Sequence, residues 1–317
     1  MAKQEQTDVL RPRLVRRMVP WIFSFACALL FIRLTIRDAV PIIAVLFYIG
    51  QPFILAILFV LGACMWPTRG RRRVIGKSVN ILLATTALAM WCVDSFRDVS
   101  VVPAAKSYSA LTWNVMNGKL GWRSIFRTLR EFDADVIVLV EAHDFREEAD
   151  SLRLEFLPEY RVTSCDSGLC LLTRGGIIDD AIHRLADGGR LRETTVSLDG
   201  KQLKFFAVDI LSNPLRGRRA PLEALAVRAA EIREMPLIVT GDFNTPPNSV
   251  HFEQLRQCTS HAFETVGDGF GPTWPSVAPV LLLDQFWTNA KLKPLCCRAG
   301  WSVASDHRPV VLTFSIE

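Results

Sequence analysis

Hydrophobic and polar positions divide the chain sharply near residue 94. Residues 18–93 are almost continuously apolar, whereas from residue 107 onward short apolar runs alternate with polar turns. Three runs in the first part, at 18–36, 40–66 and 75–93, reach the ~20 residues that an apolar membrane-crossing helix needs, the third barely. Gly50-Gln51-Pro52 interrupts the second and predicts a kink, because membrane helices tolerate such breaks better than soluble ones. The first run also invites comparison with a cleaved leader, but it starts late and shows no clear small-x-small cleavage site before Arg33.

The second part reads as strands mixed with helices. Pro236-Leu237-Ile238-Val239-Thr240 is a buried-strand pattern that stops at Gly241 and leaves Asp242 and Asn244 at its carboxyl end. Strands are also expected at 108–114, 135–141, 168–174, 192–196, 203–208 and 310–316, and an apolar run at 281–283 leads into Asp284. Helical spacing marks 121–132 through Trp122, Ile125, Phe126, Leu129 and Phe132, with further helices at 221–233 and around 249–257. The expected organisation is a basic arm at 1–17, a membrane region at 18–94, a linker at 95–106 and a folded domain at 107–317. That domain, about 210 residues, is long enough to bury a sizeable core.

Composition sharpens this division. Half of all residues are hydrophobic and the mean hydropathy is +0.23, raised mainly by the first segment. The net charge of +5 is a poor nucleic-acid signal, since much of the surplus flanks the apolar runs: Arg11, Arg13, Arg16 and Arg17 before the first, Arg69 to Lys77 before the third. Basic loops stay on the cytoplasmic side, so three crossings would put the folded domain at the periplasmic or extracellular face of the inner or cell membrane. Of the eight cysteines, five lie in that domain, an odd number, and Cys165 with Cys170 could close a short disulfide in an oxidising compartment. No cysteine spacing reads as a zinc site.

The candidate chemistry lies at strand ends. Asn114 and Glu141 each close a strand-like run, and a carboxylate there needs a cleft, a cation or a metal to offset its desolvation. Asp209 ends another run, and Ser305-Asp306-His307 precedes the last strand. Asn114, Glu141, Gly241-Asp242-Phe243-Asn244, Asp284 and Ser305-Asp306-His307, in that order, resemble the endonuclease/exonuclease/phosphatase superfamily, which includes deoxyribonuclease I, sphingomyelinases and inositol-phosphate phosphatases. The resemblance spans 107–317 and implies a four-layer α/β sandwich, here preceded by an α-helical transmembrane segment.

It also implies a set of roles. Glu141, helped by Asn114 and Asp306, would hold Mg²⁺ or Mn²⁺, ions suited to a few hard oxygen ligands and substrate phosphate. Asp242 would orient or deprotonate water and Asn244 would hydrogen-bond the phosphate. His307, paired with Asp284, would bind a phosphoryl oxygen as a cation. Relatives carry a histidine or tyrosine where this chain has Asp209, which leaves the protonation of the leaving group open. Arg216, Arg218 and Arg219 read equally as a phosphate grip or a solvated loop. The expected activity is phosphoester hydrolysis on nucleic acid, a phospholipid head group or a small phosphoester; the competing reading is an inactive binding domain of the same fold.

Overall fold

The computed structural model describes residues 18–66, 70–99, 106–143, 145, 147–165 and 167–316, and the basic arm at 1–17 lies outside them. The chain forms two compact units, Met1–Ser95 and Phe96–Glu317.

The first unit is helical. α1 (Met18–Ile36) and α4 (Arg71–Ser95) are each long and apolar enough to cross a membrane. Between them α2 (Pro41–Ile49) and α3 (Pro52–Met65) form a pair bent by 64° at Gly50-Gln51, so the expected kink becomes a clear break. Prolines at 41 and 52 sit in the first turn of each helix, where a missing N–H costs nothing. Small residues let α3 and α4 approach: a Cβ on Gly62 would meet the Asn80 side chain at 2.4 Å. Leu29, Leu55, Phe59 and Ala87 form the interior, while Trp21, Ile42 and Leu82 face outward, the inverse of a soluble bundle.

The second unit begins at β1 (Phe96–Asp98), inside the expected linker. It continues through β2 (Tyr108–Asn114), α5 (Trp122–Phe132), β3 (Val136–Val140), α6 (Glu147–Phe156), β4 (Arg161–Val162), β5 (Cys170–Thr173) and β6 (Gly176–Arg184). Next come β7 (Arg190–Leu198), β8 (Lys201–Asp209), α7 (Arg219–Glu231), β9 (Leu237–Asp242), β10 (Ser260–His261), α8 (Ala262–Val266) and β11 (Asp268–Phe270). β12 (Asp284–Thr288), β13 (Leu292–Ala299) and β14 (Val310–Ile316) complete it. Two six-stranded sheets, β13-β14-β2-β3-β5-β4 and β10-β12-β9-β8-β7-β6, pack face to face, and β1 pairs with β11 apart from them.

Period-two alternation explains the layers. Ala110, Val136, Val138 and Val140 point from the first sheet into the shared core, where they meet Phe205, Ala207, Ile238 and Phe286 of the second. The alternate residues Leu111, Trp113, Ile137 and Leu139 pack outward against Ile125, Phe126 and Leu129 of α5. On the far side Phe206, Val208 and Val239 are covered by Leu222, Leu225 and Ala226 of α7. Both faces of the central strands are buried, hence their unbroken apolar runs. This is the expected four-layer sandwich.

Two expectations shift, and the Cys165–Cys170 pairing is met. The helix near 249–257 is two short 3₁₀ turns, Val250–Phe252 and Leu255–Gln257. β6 and β13 were not expected, because both are edge strands with weak patterns; β13 carries Pro294 beside a register shift, a position only an edge tolerates. Cys165 and Cys170 are joined as a disulfide.

Candidate active site

Strand direction carries the candidate residues to one end of the sandwich. β2 and β3 run parallel, as do β8 and β9, so Asn114, Glu141, Asp209 and Asp242 all come from the carboxyl ends. β12 and β14 run the other way and bring their starts, Asp284 and the 305–309 segment, to the same end.

Register then builds a row. Arg190 pairs with Asp209, Asp209 with Asp242, and Asp242 with Asp284, so four charged side chains on β7, β8, β9 and β12 share one face of the second sheet. That face is the inner one, because Ile238, two pairs of residues upstream of Asp242 on β9, belongs to the shared core.

Hydrogen bonds close the site from the opposite sheet. Asn114 Nδ2 donates to Glu141 Oε1 at 3.1 Å and to Asp242 Oδ2 at 3.0 Å, while its oxygen accepts from the Met116 backbone N–H at 3.0 Å. Two carboxylate acceptors on one side fix which way the amide points. Asn244 folds back on Asp242, donating through its backbone N–H at 2.8 Å and its Nδ2 at 3.0 Å, and Nδ2 also reaches the Ile210 carbonyl. His307 Nδ1 donates to Asp284 Oδ2 at 2.8 Å, and its Nε2 lies 3.9 Å from Asp242 Oδ2. Trp113 Nε1 donates to the His307 carbonyl, and Ser305 Oγ to the Asn114 carbonyl, which pins the loop before β14.

Backbone strain concentrates here. Met116, Asn117, Glu141 and Asn244 all adopt positive φ between 46° and 54°. Non-glycine residues held this way store of order 1–3 kcal/mol each and mark places where side-chain direction matters more than backbone comfort.

The electrostatics follow from burial and pairing. Burial pushes the Asp242 carboxyl up to about 7, with Asp284 adding to the push; His307, the Asn114 amide and the Asn244 N–H pull the other way. Burial alone would lower the His307 imidazole, but Asp284, Asp242 and, less strongly, Asp306 outweigh it and raise it to about 10. Asp209 is pushed up to about 6 by burial, against Arg190 and with help from Glu141.

Asp242, Asp284 and His307 bring ligand-type atoms within 4.8 Å of one another. His307 Nδ1 is already bonded to Asp284 Oδ2, and Asp242 Oδ2 already accepts from Asn114 and Asn244, which leaves Asp284 Oδ1 as the carboxylate oxygen of the trio with no hydrogen bond among the described residues. Glu141 and Asp306 are less satisfied. Among the described residues Glu141 has a hydrogen bond on one oxygen alone, and the Asp306 oxygens receive only long contacts, 3.4 Å each, from Trp274 Nε1 and Ser305 Oγ. Half-exposed carboxylates with spare lone pairs fit a hard divalent cation.

All eight residues singled out in the sequence therefore meet at this end. Arg190 and His143 were not foreseen. Arg190 Nη1 bonds the Ser167 carbonyl at 3.0 Å, contacts His143 Nε2 and lies 3.8 Å from Asp209 Oδ2. The Arg216–Arg219 loop contributes little to the site: Arg218 is buried against the Ser212 carbonyl and Arg219 pairs with Glu223.

The endonuclease/exonuclease/phosphatase family model matches residues 111–307, more than half of the chain and all of the site. No curated protein sequence matches. The fold is similar to that of a family protein from Bacteroides thetaiotaomicron, with TM-score 0.55, 15% identity, and 67% of this chain and 98% of that one covered. It is equally similar to the human nocturnin catalytic domain with bound sulfate (TM-score 0.55, 19% identity, 70% and 97% covered). A mannosyl-6-phosphatase from Bacteroides thetaiotaomicron gives TM-score 0.55 at 15% identity, with 66% and 100% covered. Identities this low carry the fold alone.

Gly241 makes the row testable. It sits at φ 134°, and a Cβ there would lie 2.1 Å from the Val208 carbonyl on the neighbouring strand, an atom that no rotamer change can move. Gly241→Ala should destabilise the domain by on the order of 3 kcal/mol in denaturant unfolding of the detergent-solubilised chain, the upper range for overpacking. A loss below ~0.5 kcal/mol, the surface-substitution range, would contradict the close approach of β8 and β9.

Proposed function

The chain belongs to the endonuclease/exonuclease/phosphatase family, a family of metal-dependent hydrolases, and from that premise we propose that it hydrolyses a phosphoester from a membrane-anchored position. The observation that carries this is the convergence of Asp242, Asp284 and Asp306 around one imidazole, His307, with Glu141 tied to Asp242 through the Asn114 amide at the same end of the two sheets. A merely structural site has little use for four carboxylates and a retained positive charge in one place.

Glu141 and Asp306 would hold Mg²⁺ or Mn²⁺, with Asn114 contributing through the hydrogen bond that aims Glu141. When bound, the ion supplies charge neutralisation at the phosphoryl oxygens and lowers the cost of attack by water. Asp242 orients the attacking water and takes its proton; a carboxylate raised toward neutrality by burial is a better base than an ordinary one. Asn244 keeps that carboxylate aimed: both Nδ2 hydrogens are engaged, with Asp242 and with the Ile210 carbonyl, so its part here is to position Asp242 rather than to grip the phosphate. His307 stays protonated through its bond to Asp284 and donates Nε2–H to a phosphoryl oxygen, where preorganised charge lowers the barrier most. Asp209, beside Arg190, stands near the leaving group. The inactive-domain reading loses support, since its one basis, Asp209, has a cationic neighbour and no residue of the set is missing.

The anchor reading rests on α1 and α4, with the bent α2–α3 pair counted as one crossing. Three crossings with basic loops inside put the catalytic unit outside the cytoplasm. A reporter active only outside the cytoplasm should be active when fused after Glu317 and silent after Lys77. The reverse pattern would invert the topology.

Kinetics on bis(p-nitrophenyl) phosphate separate the roles. Asp242→Ala should cut turnover by on the order of 10² to 10⁴, the range for a positioned base. Asp209→Asn, which keeps shape and removes a charge, should cost about tenfold or less, roughly 1.4 kcal/mol. Glu141→Gln should lose activity at limiting Mg²⁺ and regain part of it in excess. Full Glu141→Gln activity at limiting Mg²⁺ would remove Glu141 from the ligand set. Equal, severe losses at Asp209 and Asp242 would make Asp209 an essential acid or ligand.

A further inference from the structure

The strand directions that build the site also bring loops to its border; besides those that follow β3 and β9, they are 115–121 after β2, 210–218 after β8, 271–283 before β12 and 300–309 before β14. These four segments are unusually apolar where they meet solvent. Of the eleven large hydrophobic side chains exposed among the described residues of the catalytic unit, six belong to them: Val303 at 90%, Val277 at 88%, Trp301 at 63%, Leu215 at 62%, Leu120 at 53% and Leu211 at 40%. Single exposed hydrophobics need no explanation, but a cluster bordering one site marks an interaction surface.

The rim is held in place rather than loosely displayed. Ser276 donates its N–H to the Asp306 carbonyl at 2.7 Å and its hydroxyl to the Ser305 carbonyl at 2.9 Å, which ties the Val277 loop to the Val303 loop. Arg308 binds the Pro272, Gly300 and Ala299 carbonyls at 2.6 to 2.9 Å, so the loops cannot fold their apolar tips inward.

Charge selects the partner. The four segments contain one acidic residue, Asp306, which belongs to the site, and their exposed cations are Lys119 and Arg216. Arg218 and Arg308 are buried. A nucleic-acid grip rests on many phosphate-neutralising cations. Apolar tips interleaved with a few basic residues instead match a lipid–water interface, where stems bury among acyl chains and cationic heads reach lipid phosphates.

A stack of rings and a guanidinium backs the 300–309 loop. The Arg308 guanidinium lies 3.9 Å from the Trp301 ring and 5.5 Å from the Phe270 ring, and Phe270 packs on Phe96 at 4.9 Å.

We propose that the loops carrying Leu120, Leu211, Leu215, Val277, Trp301 and Val303 dock on a lipid surface, and that the substrate is a phosphoester in the head group of a membrane lipid. This rests on the phosphoesterase reading above and adds the substrate class. Docking presents the head-group ester to Asp242 and His307 without removing the acyl chains from the bilayer.

The test uses the full chain in mixed micelles containing phosphatidylglycerol and phosphatidylcholine, with Mg²⁺, against bis(p-nitrophenyl) phosphate and plasmid DNA in parallel. The wild type should cleave the lipid head-group ester. The double variant Val277→Glu/Val303→Glu, at two nearly fully exposed positions, should lower the ratio of lipid to soluble-ester rates at least tenfold. Val227→Glu, equally apolar and exposed on α7 but away from the rim, should leave that ratio within twofold. An unmoved ratio in the double variant, or DNA cleaved and lipid untouched, overturns the proposal. If no ester of any kind is cleaved, the phosphoesterase reading itself fails. The surface is then decided by p-benzoylphenylalanine placed at position 303 of the chain in vesicles: lipid adducts support docking, and adducts to protein alone, or none, overturn it.

Discussion

Two hydrogen bonds cross between the sheets at one end of the sandwich, and the site depends on both. Asn114 of the first sheet donates to Asp242 of the second, and His307, in the loop leading to the first sheet's β14, donates to Asp284 of β12. Asp242 and Asp284 are both buried on the second sheet's inner face. Buried carboxylates are costly unless paired and hydrogen-bonded, so these bonds offset the desolvation of the row that the register of β7, β8, β9 and β12 imposes. They also select a geometry. A one-residue slip of β9 against β8 would turn Asp242 to the outer face and leave His307 with a single carboxylate partner. The polar end and the apolar core are two consequences of the same register.

Much of this was legible in the sequence for a physical reason. Central strands covered on both faces must be continuous apolar runs, so a polar residue closing such a run announces a strand end facing solvent or a site. Asn114, Glu141, Asp209 and Asp242 announced themselves this way, and Asp306-His307 did so from the other direction. What was not legible came from pairings that exist only after folding. Arg190 reads as an ordinary arginine between Gly189 and Leu191 until register sets it beside Asp209. His143 gains meaning only because Gly168 leaves room for its ring, where a Cβ would meet it at 2.3 Å. Edge strands β6 and β13 escaped notice because solvent on one side relaxes the demand for apolar residues.

The helical unit and the catalytic unit place large apolar residues differently. In the first, large apolar side chains such as Trp21, Ile42 and Leu82 point outward, while the interior mixes Leu29, Leu55 and Phe59 with small residues such as Ala87. In the second, large apolar side chains fill the layers, and the notable exceptions gather around the active-site end. That exception is where structure and chemistry join. The docking proposal rests on this border, where apolar side chains outnumber exposed cations.

The central claim is that Asp284 holds His307 as a cation facing Asp242, and ¹⁵N NMR of the labelled imidazole in the solubilised chain tests it most directly. The account predicts that His307 in the wild type remains protonated through neutral pH and titrates near 10. In Asp284→Asn it should titrate at least about one unit lower, since a unit corresponds to ~1.4 kcal/mol of differential interaction and Asp284 is the nearer of the two carboxylates. A wild-type imidazole titrating near the ordinary ~6.5, or a titration that Asp284→Asn leaves in place, would contradict it.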